Sequence, residues 1–298
     1  MTLNKILIIS GTHGNEINPV WAANQFIKQP NTKDNNIEYK FVIGNPLACE
    51  KGCRYIDRDL NRSFGLIKNN LNSSIYEINR ANFLVQKFGA QGSEPCEIAI
   101  DLHTTTSNMG TSIVMYGRRR KDFCLAALLQ HKFGLPIYLH EKDKKETGFL
   151  VEAWPSGLVI EIGSVAQNFY DLNIINRFLI IINSLRDEIN MLKNNEIQLP
   201  KDLTVHVHQG SIDYPRAKNG NINALIHPER INKDWKPIKK GDPLFIDMEG
   251  KTTSYMGEDS IWPVFIGEVA YKEKNIAMSY TKKEVITLSN KIFKEFSN

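Results

Sequence analysis

The chain of 298 residues is poor in cysteine, with four in all. Cys49 and Cys53 stand four apart without a matching second pair, which argues against a zinc knuckle or a disulfide framework and for reduced thiols. Long apolar runs are also missing: a block such as Phe178–Ile182, which sits inside a charged periodic segment, is far short of the ~20 residues that span a bilayer. Charge of one sign is missing too. Thirty-seven Lys and Arg face 33 Asp and Glu, a formal +4 spread evenly along the chain, so binding to nucleic acid or to a membrane surface is not expected. The apolar stretch after Lys5 is too short for a secretion signal and no small-residue cleavage site follows it, so a cytoplasmic protein is expected. There is no internal repeat and no low-complexity tract. The length suits one large domain, or a main domain plus a smaller one.

What is present is alternation. Lys5–Ser10, Tyr39–Gly44, Glu97–Leu102, Thr111–Tyr116, Pro136–Leu139 and Leu158–Ile162 read as short strands. Between them, helices are expected after Asn18-Pro19 (asparagine as N-cap, proline at the first position), over Ser74–Phe88 and over Asp122–Phe133. The strongest helix runs from about Phe169 to Lys193, with Leu172, Ile175, Leu179, Ile182, Leu185, Ile189 and Leu192 on one stripe. Cys49 to Asn70 lacks periodicity and reads as a long loop, and loops of that length in a compact domain are often functional. This pattern predicts an α/β domain over residues 1–195, a mixed, mostly parallel sheet flanked by helices. After Pro200 the texture changes to short alternating runs punctuated by Asn219-Gly220, Gly241-Asp242-Pro243 and Glu249-Gly250. A smaller β-rich domain is expected over 196–298, ending in a helix near Lys282–Phe296.

Four constellations can carry chemistry. His13 and Glu16 follow the first strand, where open α/β sheets bind ligands; they are either two metal ligands or a polar turn. Asp101 and His103 share one side of another strand end, and His103 would complete a His2Glu set with an open position, as in catalytic zinc sites. Asp101 would orient an imidazole or stabilise a turn. On the long loop, Arg54, Arg58 and Arg62 with Asn61 are either a solvated basic cluster or a carboxylate clamp, and an arginine near a polarised carbonyl would steady an oxyanion. Glu161 is an acid inside an apolar strand, so it is either structurally paired or raised in pKa for proton transfer. His206 and His208 alternate on a later strand and read as structural or exposed, and the run from Arg118 to Lys121 as the solvated start of a helix or a steering patch.

The motifs Gly11–Glu16, Tyr55–Arg62, Asp101–Gly110 and Ile160–Gly163 occur in the order seen in aspartoacylases, which belong with succinylglutamate desuccinylases to the zinc carboxypeptidase-like superfamily. The resemblance continues through Asp213–Arg216, Ile226–Pro228, Asp234–Pro237, Gly241–Pro243 and Glu268–Tyr271, and so covers almost the whole chain. It implies one zinc ion per chain on His13, Glu16 and His103. It implies that Glu161 takes a proton from the attacking water and passes it to the departing amine, and that Arg54 polarises the scissile carbonyl. Asn61 and Arg62 would hold a carboxylate of the amino-acid half, and Tyr271 would reach into the mouth of the site from a β domain that covers it. The substrate implied is a small anionic N-acyl amino acid, N-acyl-L-aspartate first and succinylglutamate or N-acetylated aromatic or cysteine conjugates next. A zinc-containing binding module without catalysis is the alternative from another class. In one place the chain departs from the animal N-acetylaspartate hydrolases of this family. Their tyrosine and arginine upstream of the glutamate are missing from Lys144–Leu150, where Lys144 or Lys145 would have to supply the charge. Whether the chain forms a homo-oligomer is left open by its sequence.

Overall fold

The computed structural model describes residues 5–29, 37–69, 73–141 and 147–288. Strand β1 (Lys5–Ser10) leads into helix α1 (Ile17–Lys28), and β2 (Glu38–Ile43) into α2 (Pro46–Lys51). Two 3₁₀ turns, Leu60–Arg62 and Phe64–Asn69, precede α3 (Tyr76–Phe88), β3 (Ile98–Thr104), β4 (Thr111–Tyr116), α4 (Arg120–Phe133), β5 (Ile137–His140), β6 (Ser156–Ile162) and α5 (Leu172–Lys193). The remainder holds β7 (Asp202–Ile212), β8 (Ala224–Ile226), β9 (Pro243–Asp247), β10 (Thr252–Ser254), β11 (Trp262–Val264) and β12 (Met278–Thr287). No helix among the described residues is long and apolar enough to cross a membrane.

Nine strands form one sheet in the order β11-β12-β7-β5-β4-β6-β3-β1-β2, and β10-β9-β8 form a small second one. The pairs β1–β2, β1–β3, β3–β6, β4–β5 and β5–β7 are parallel, whereas β4–β6, β7–β12 and β11–β12 are antiparallel. This is the mixed, mostly parallel α/β sheet read from the alternation. The sheet runs on past residue 195, because β7 pairs with β5 and carries β12 and β11 with it.

One face of the sheet packs Ile6, Ile8, Ile100, Ile160 and Leu139 against α1, α4 and α5. The other packs Leu7, Ala99, Val114, Tyr138 and Val159 with α3 and with Val264 and Phe265 from the C-terminal part. Burial on both faces is why the inner strands read as unbroken apolar runs. On α5, Ile175, Ile182, Leu185, Ile189 and Leu192 are buried as the stripe predicts, but Leu172 at the first helical position is 67% exposed.

Caps and edges account for the other departures. Asn45 caps α2 with Pro46 at its first position, and Asp171 caps α5 by accepting from Asn173 N and Ile174 N. Helix α1, however, begins one residue before Asn18. That side chain instead donates to Phe169 O (2.9 Å) and accepts from Asp171 N (2.8 Å), fastening α1 to the start of α5. The expected loop from Cys49 onward keeps α2 through Lys51 and then winds into the two 3₁₀ turns. The helix expected near Lys282–Phe296 is not formed by its described part: Lys282–Thr287 is strand, paired with β7 from Met278 onward, because the open edge of β7 needs backbone partners. Residues 289–298 lie outside the described residues.

Within the C-terminal part, a buried acid holds two loops together. Asp234 Oδ1 accepts from Ile266 N at 3.0 Å, while its Oδ2 is buried without a partner. Burial pushes this carboxyl up to about 6 against the pull of backbone N–H groups. A raised carboxyl pKa means that the folded state holds its proton longer than the unfolded chain, so stability falls as pH rises from 3.8 to about 6 and is level above. The Asp234→Asn variant keeps the neutral acceptor. Its stability advantage over the wild type should grow by on the order of 2 kcal/mol across that window and then stay constant, as urea unfolding at several pH values would show.

Candidate active site

The strand that brings His103 to the site brings Glu161 beside it, because β3 and β6 pair in parallel with His103 opposite Glu161. The loop after β1 supplies His13, and the residue just before α1 supplies Glu16. Gly14 lets this loop lie against α2: a Cβ there would fall 2.0 Å from the Ala48 carbonyl carbon, and Gly14 N donates to Arg54 O at 3.2 Å. In this way the His13 loop and the Arg54 loop are one unit. Arg54, Asn61, Arg62, His103, Glu161 and Tyr271 join His13 and Glu16 around one pocket of about 790 Å³, open to solvent. All the residues expected to form the site are therefore brought together.

His13, Glu16 and His103 are buried and offer ligand atoms within 4.8 Å of one another, a spacing that one metal ion fits. Glu16 spans the two rings, with Oε1 2.6 Å from His13 Nδ1 and Oε2 3.1 Å from His103 Nδ1. Its carboxylate therefore makes no cap for α1. Behind the rings stand two further carboxylates. Asp59 Oδ1 lies 3.0 Å from His13 Nε2, and Asp101 Oδ2 lies 2.7 Å from His103 Nε2. Asp101 is further held by Thr12 Oγ1 at 2.7 Å, so it orients an imidazole rather than a turn. This is the donor set, with its outer carboxylates, that suits a cation such as zinc bound by neutral imidazoles.

The electrostatics follow from burial and contact. Burial raises the Glu16 carboxyl, but the facing His13 and His103 overcome this and hold it below the usual carboxylate range. Burial lowers the His103 imidazole, and Asp101 and Glu16 more than reverse that. Glu161 is pushed well above the carboxylate range, chiefly by burial, with Glu16 and Glu268 adding to the shift and His103 and Arg54 opposing it. Arg54 is held by Asp59 (3.0 Å) and lies 3.7 Å from Glu16, yet its Nε is buried without a partner. Arg62 lies 4.1 Å over the Phe149 ring, and Asn61 Oδ1 accepts from Leu150 N at 2.8 Å. Burial raises the Tyr271 hydroxyl, which stays a proton donor.

Residues 2–189 match the succinylglutamate desuccinylase/aspartoacylase catalytic domain, and residues 201–283 match the AstE/AspA barrel-sandwich hybrid domain. The chain belongs to the succinylglutamate desuccinylase/aspartoacylase family. Among members of this family, a protein of Prochlorococcus marinus subsp. pastoris named "Probable aspartoacylase" is 81% identical over 99% of both chains. A namesake from a second strain of that species is 78% identical over the full length of both. Among solved structures, murine aminoacylase 3 superimposes with a TM-score of 0.88 at 29% identity, covering 97% of this chain and 98% of its own. A succinylglutamate desuccinylase from Vibrio parahaemolyticus shares the fold, with a TM-score of 0.62 at 17% identity over 96% of this chain and 86% of its own. Membership in the aspartoacylase family places the chain among hydrolases of N-acyl amino acids.

Several residues of this aspartoacylase-family site have no local signal in the sequence. Glu77, wholly buried at the start of α3, accepts from Ile56 N (2.6 Å), Asp57 N (3.0 Å), Arg58 N (3.2 Å) and Asn45 Nδ2 (3.0 Å), and so shapes the arginine loop. Glu268 accepts from Thr105 Oγ1 and from Thr106 N (2.9 Å), tying the segment that bears Tyr271 to the loop after His103. His208 and His140 line the pocket, whereas His206 is packed between Trp235 and Trp262 as a structural residue. The basic run leads into α4 as expected, with Arg118 and Arg120 exposed; Arg118 bridges Glu141 and Glu284 at the surface, and Arg119 bonds Asp122. Lys144 and Lys145 lie outside the described residues. Replacing Glu77 by Gln leaves backbone N–H groups of the arginine loop without full acceptors, which should cost on the order of 2 kcal/mol in denaturant unfolding.

Proposed function

We propose that the chain is a zinc-dependent amidohydrolase that cleaves N-acyl-L-aspartate into L-aspartate and a carboxylate. The observation that carries this reading is the convergence of buried His13, Glu16 and His103 beside Glu161 and Arg54 in one open pocket. His13, Glu16 and His103 would hold a zinc ion, which would supply Lewis acidity and make water a nucleophile near neutral pH. Glu161 takes the proton of the attacking water. It then returns that proton to the amide nitrogen as the carbon–nitrogen bond breaks, since an amine leaves poorly without it. Arg54, which lines the pocket, donates to the oxygen on which negative charge develops.

Asn61 and Arg62 hold the α-carboxylate of the amino-acid half. They stand on one 3₁₀ turn, capped by Asp59 accepting from Asn61 N at 2.8 Å, so they move as a unit with the carboxylate behind His13. Tyr271 donates its hydroxyl at the mouth, and the C-terminal part above it restricts the site to small substrates. Glu161→Gln keeps the shape of the side chain and removes the proton acceptor. Hydrolysis of N-acetyl-L-aspartate should fall by about 10²–10⁴ in kcat with little change in KM. Unchanged turnover in that variant would sink the mechanism.

A further inference from the structure

The pocket does not end at the metal-ligating set. It continues along the same face of the sheet into a chamber whose walls are Val114, Val159, Tyr116 and Phe149. Phe149 connects its two ends: the Arg62 guanidinium lies 4.1 Å over this ring, and the His140 ring lies 5.3 Å from it. His140 in turn faces His208, with ring centroids 4.9 Å apart and planes tilted by 36°. His208 Nδ1 is fixed by the Tyr138 hydroxyl at 2.7 Å.

An aspartate whose α-carboxylate sits on Arg62 would have this chamber within reach of its side chain, since both lie against the Phe149 ring. A second carboxylate there has apolar walls around it and would be costly without a cationic partner. Arg54 is committed to Asp59 and Glu16, and Lys274 lies toward the mouth, 6.0 Å over the Tyr271 ring. Among the described residues, His140 and His208 are the basic side chains that line that end. Imidazole ring N–H groups are donors from which a carboxylate oxygen can accept. We propose that His140 and His208 form the subsite that reads the side-chain carboxylate of an N-acyl-L-aspartate. They take the part for which the segment before Glu161 has neither an arginine nor a tyrosine. The inference rests on the hydrolase reading above.

Steady-state kinetics of the zinc-loaded full chain on N-acetyl-L-aspartate, N-acetyl-L-asparagine and N-acetyl-L-phenylalanine test it, with His140→Gln, His208→Gln and Lys274→Met as variants. The wild type should prefer aspartate to its neutral isostere by at least about tenfold in kcat/KM, mostly through KM, and each histidine variant should lower that ratio by about tenfold. Calorimetric affinity for the product L-aspartate, set against L-asparagine, should shift in parallel and reads the same subsite without turnover. An aspartate-to-asparagine ratio near one in the wild type overturns the proposal without any variant. So does a preference for phenylalanine, a uniform slowing of all three substrates by the histidine variants, or a preference lost only in Lys274→Met. Inactivity of the wild type on all three substrates would instead overturn the hydrolase reading, and this inference with it.

Discussion

A buried carboxylate, Glu16, lies between two buried imidazoles, and each imidazole is backed by a second buried carboxylate. Such a cluster is expensive unless its charges balance. Three carboxylates and Arg54 balance either with both imidazoles protonated or with neutral imidazoles around a divalent cation. The loop after β1, the 3₁₀ turn at Leu60–Arg62 and the end of β3 are all positioned by contacts to this one group. Displacing any of them leaves a buried charge without its partner.

The remaining architecture holds these segments to one another. Glu77 gathers three consecutive backbone N–H groups of the arginine loop, and Gly14 locks that loop to the histidine loop. Glu268 reaches from the C-terminal segment to the residues after His103. The C-terminal strands extend the main sheet rather than standing apart from it, which explains how Tyr271 and His208 line a single pocket with His13, Glu16 and His103.

Much of the site was legible because its groups sit where local rules make them conspicuous. His13 and Glu16 directly follow an apolar strand, Asp101 and His103 share one side of a strand end, and Glu161 interrupts an apolar run. Together with the loop motifs, these residues carried the family resemblance. The illegible parts depend on partners distant in sequence. Asn18 has the composition of a cap yet is used 151 and 153 residues away, at Phe169 and Asp171. Lys282–Thr287 alternates too weakly to announce a strand, and becomes one because the edge of β7 is open. His140 and His208 look ordinary until the parallel pairing of β5 and β7 brings their rings together. Glu77 carries no mark in the sequence, since its role is to accept from a loop some twenty residues earlier.

His13 and His103 with Glu16 are proposed here as a zinc centre. Elemental analysis of the purified chain, combined with X-ray absorption at the zinc edge, tests it most directly. The expected result is one zinc per chain with two imidazole nitrogens and a carboxylate oxygen at about 2.0–2.2 Å, and a zinc content that collapses in His103→Ala. Zinc bound through sulfur, or a full equivalent retained in that variant, would contradict it.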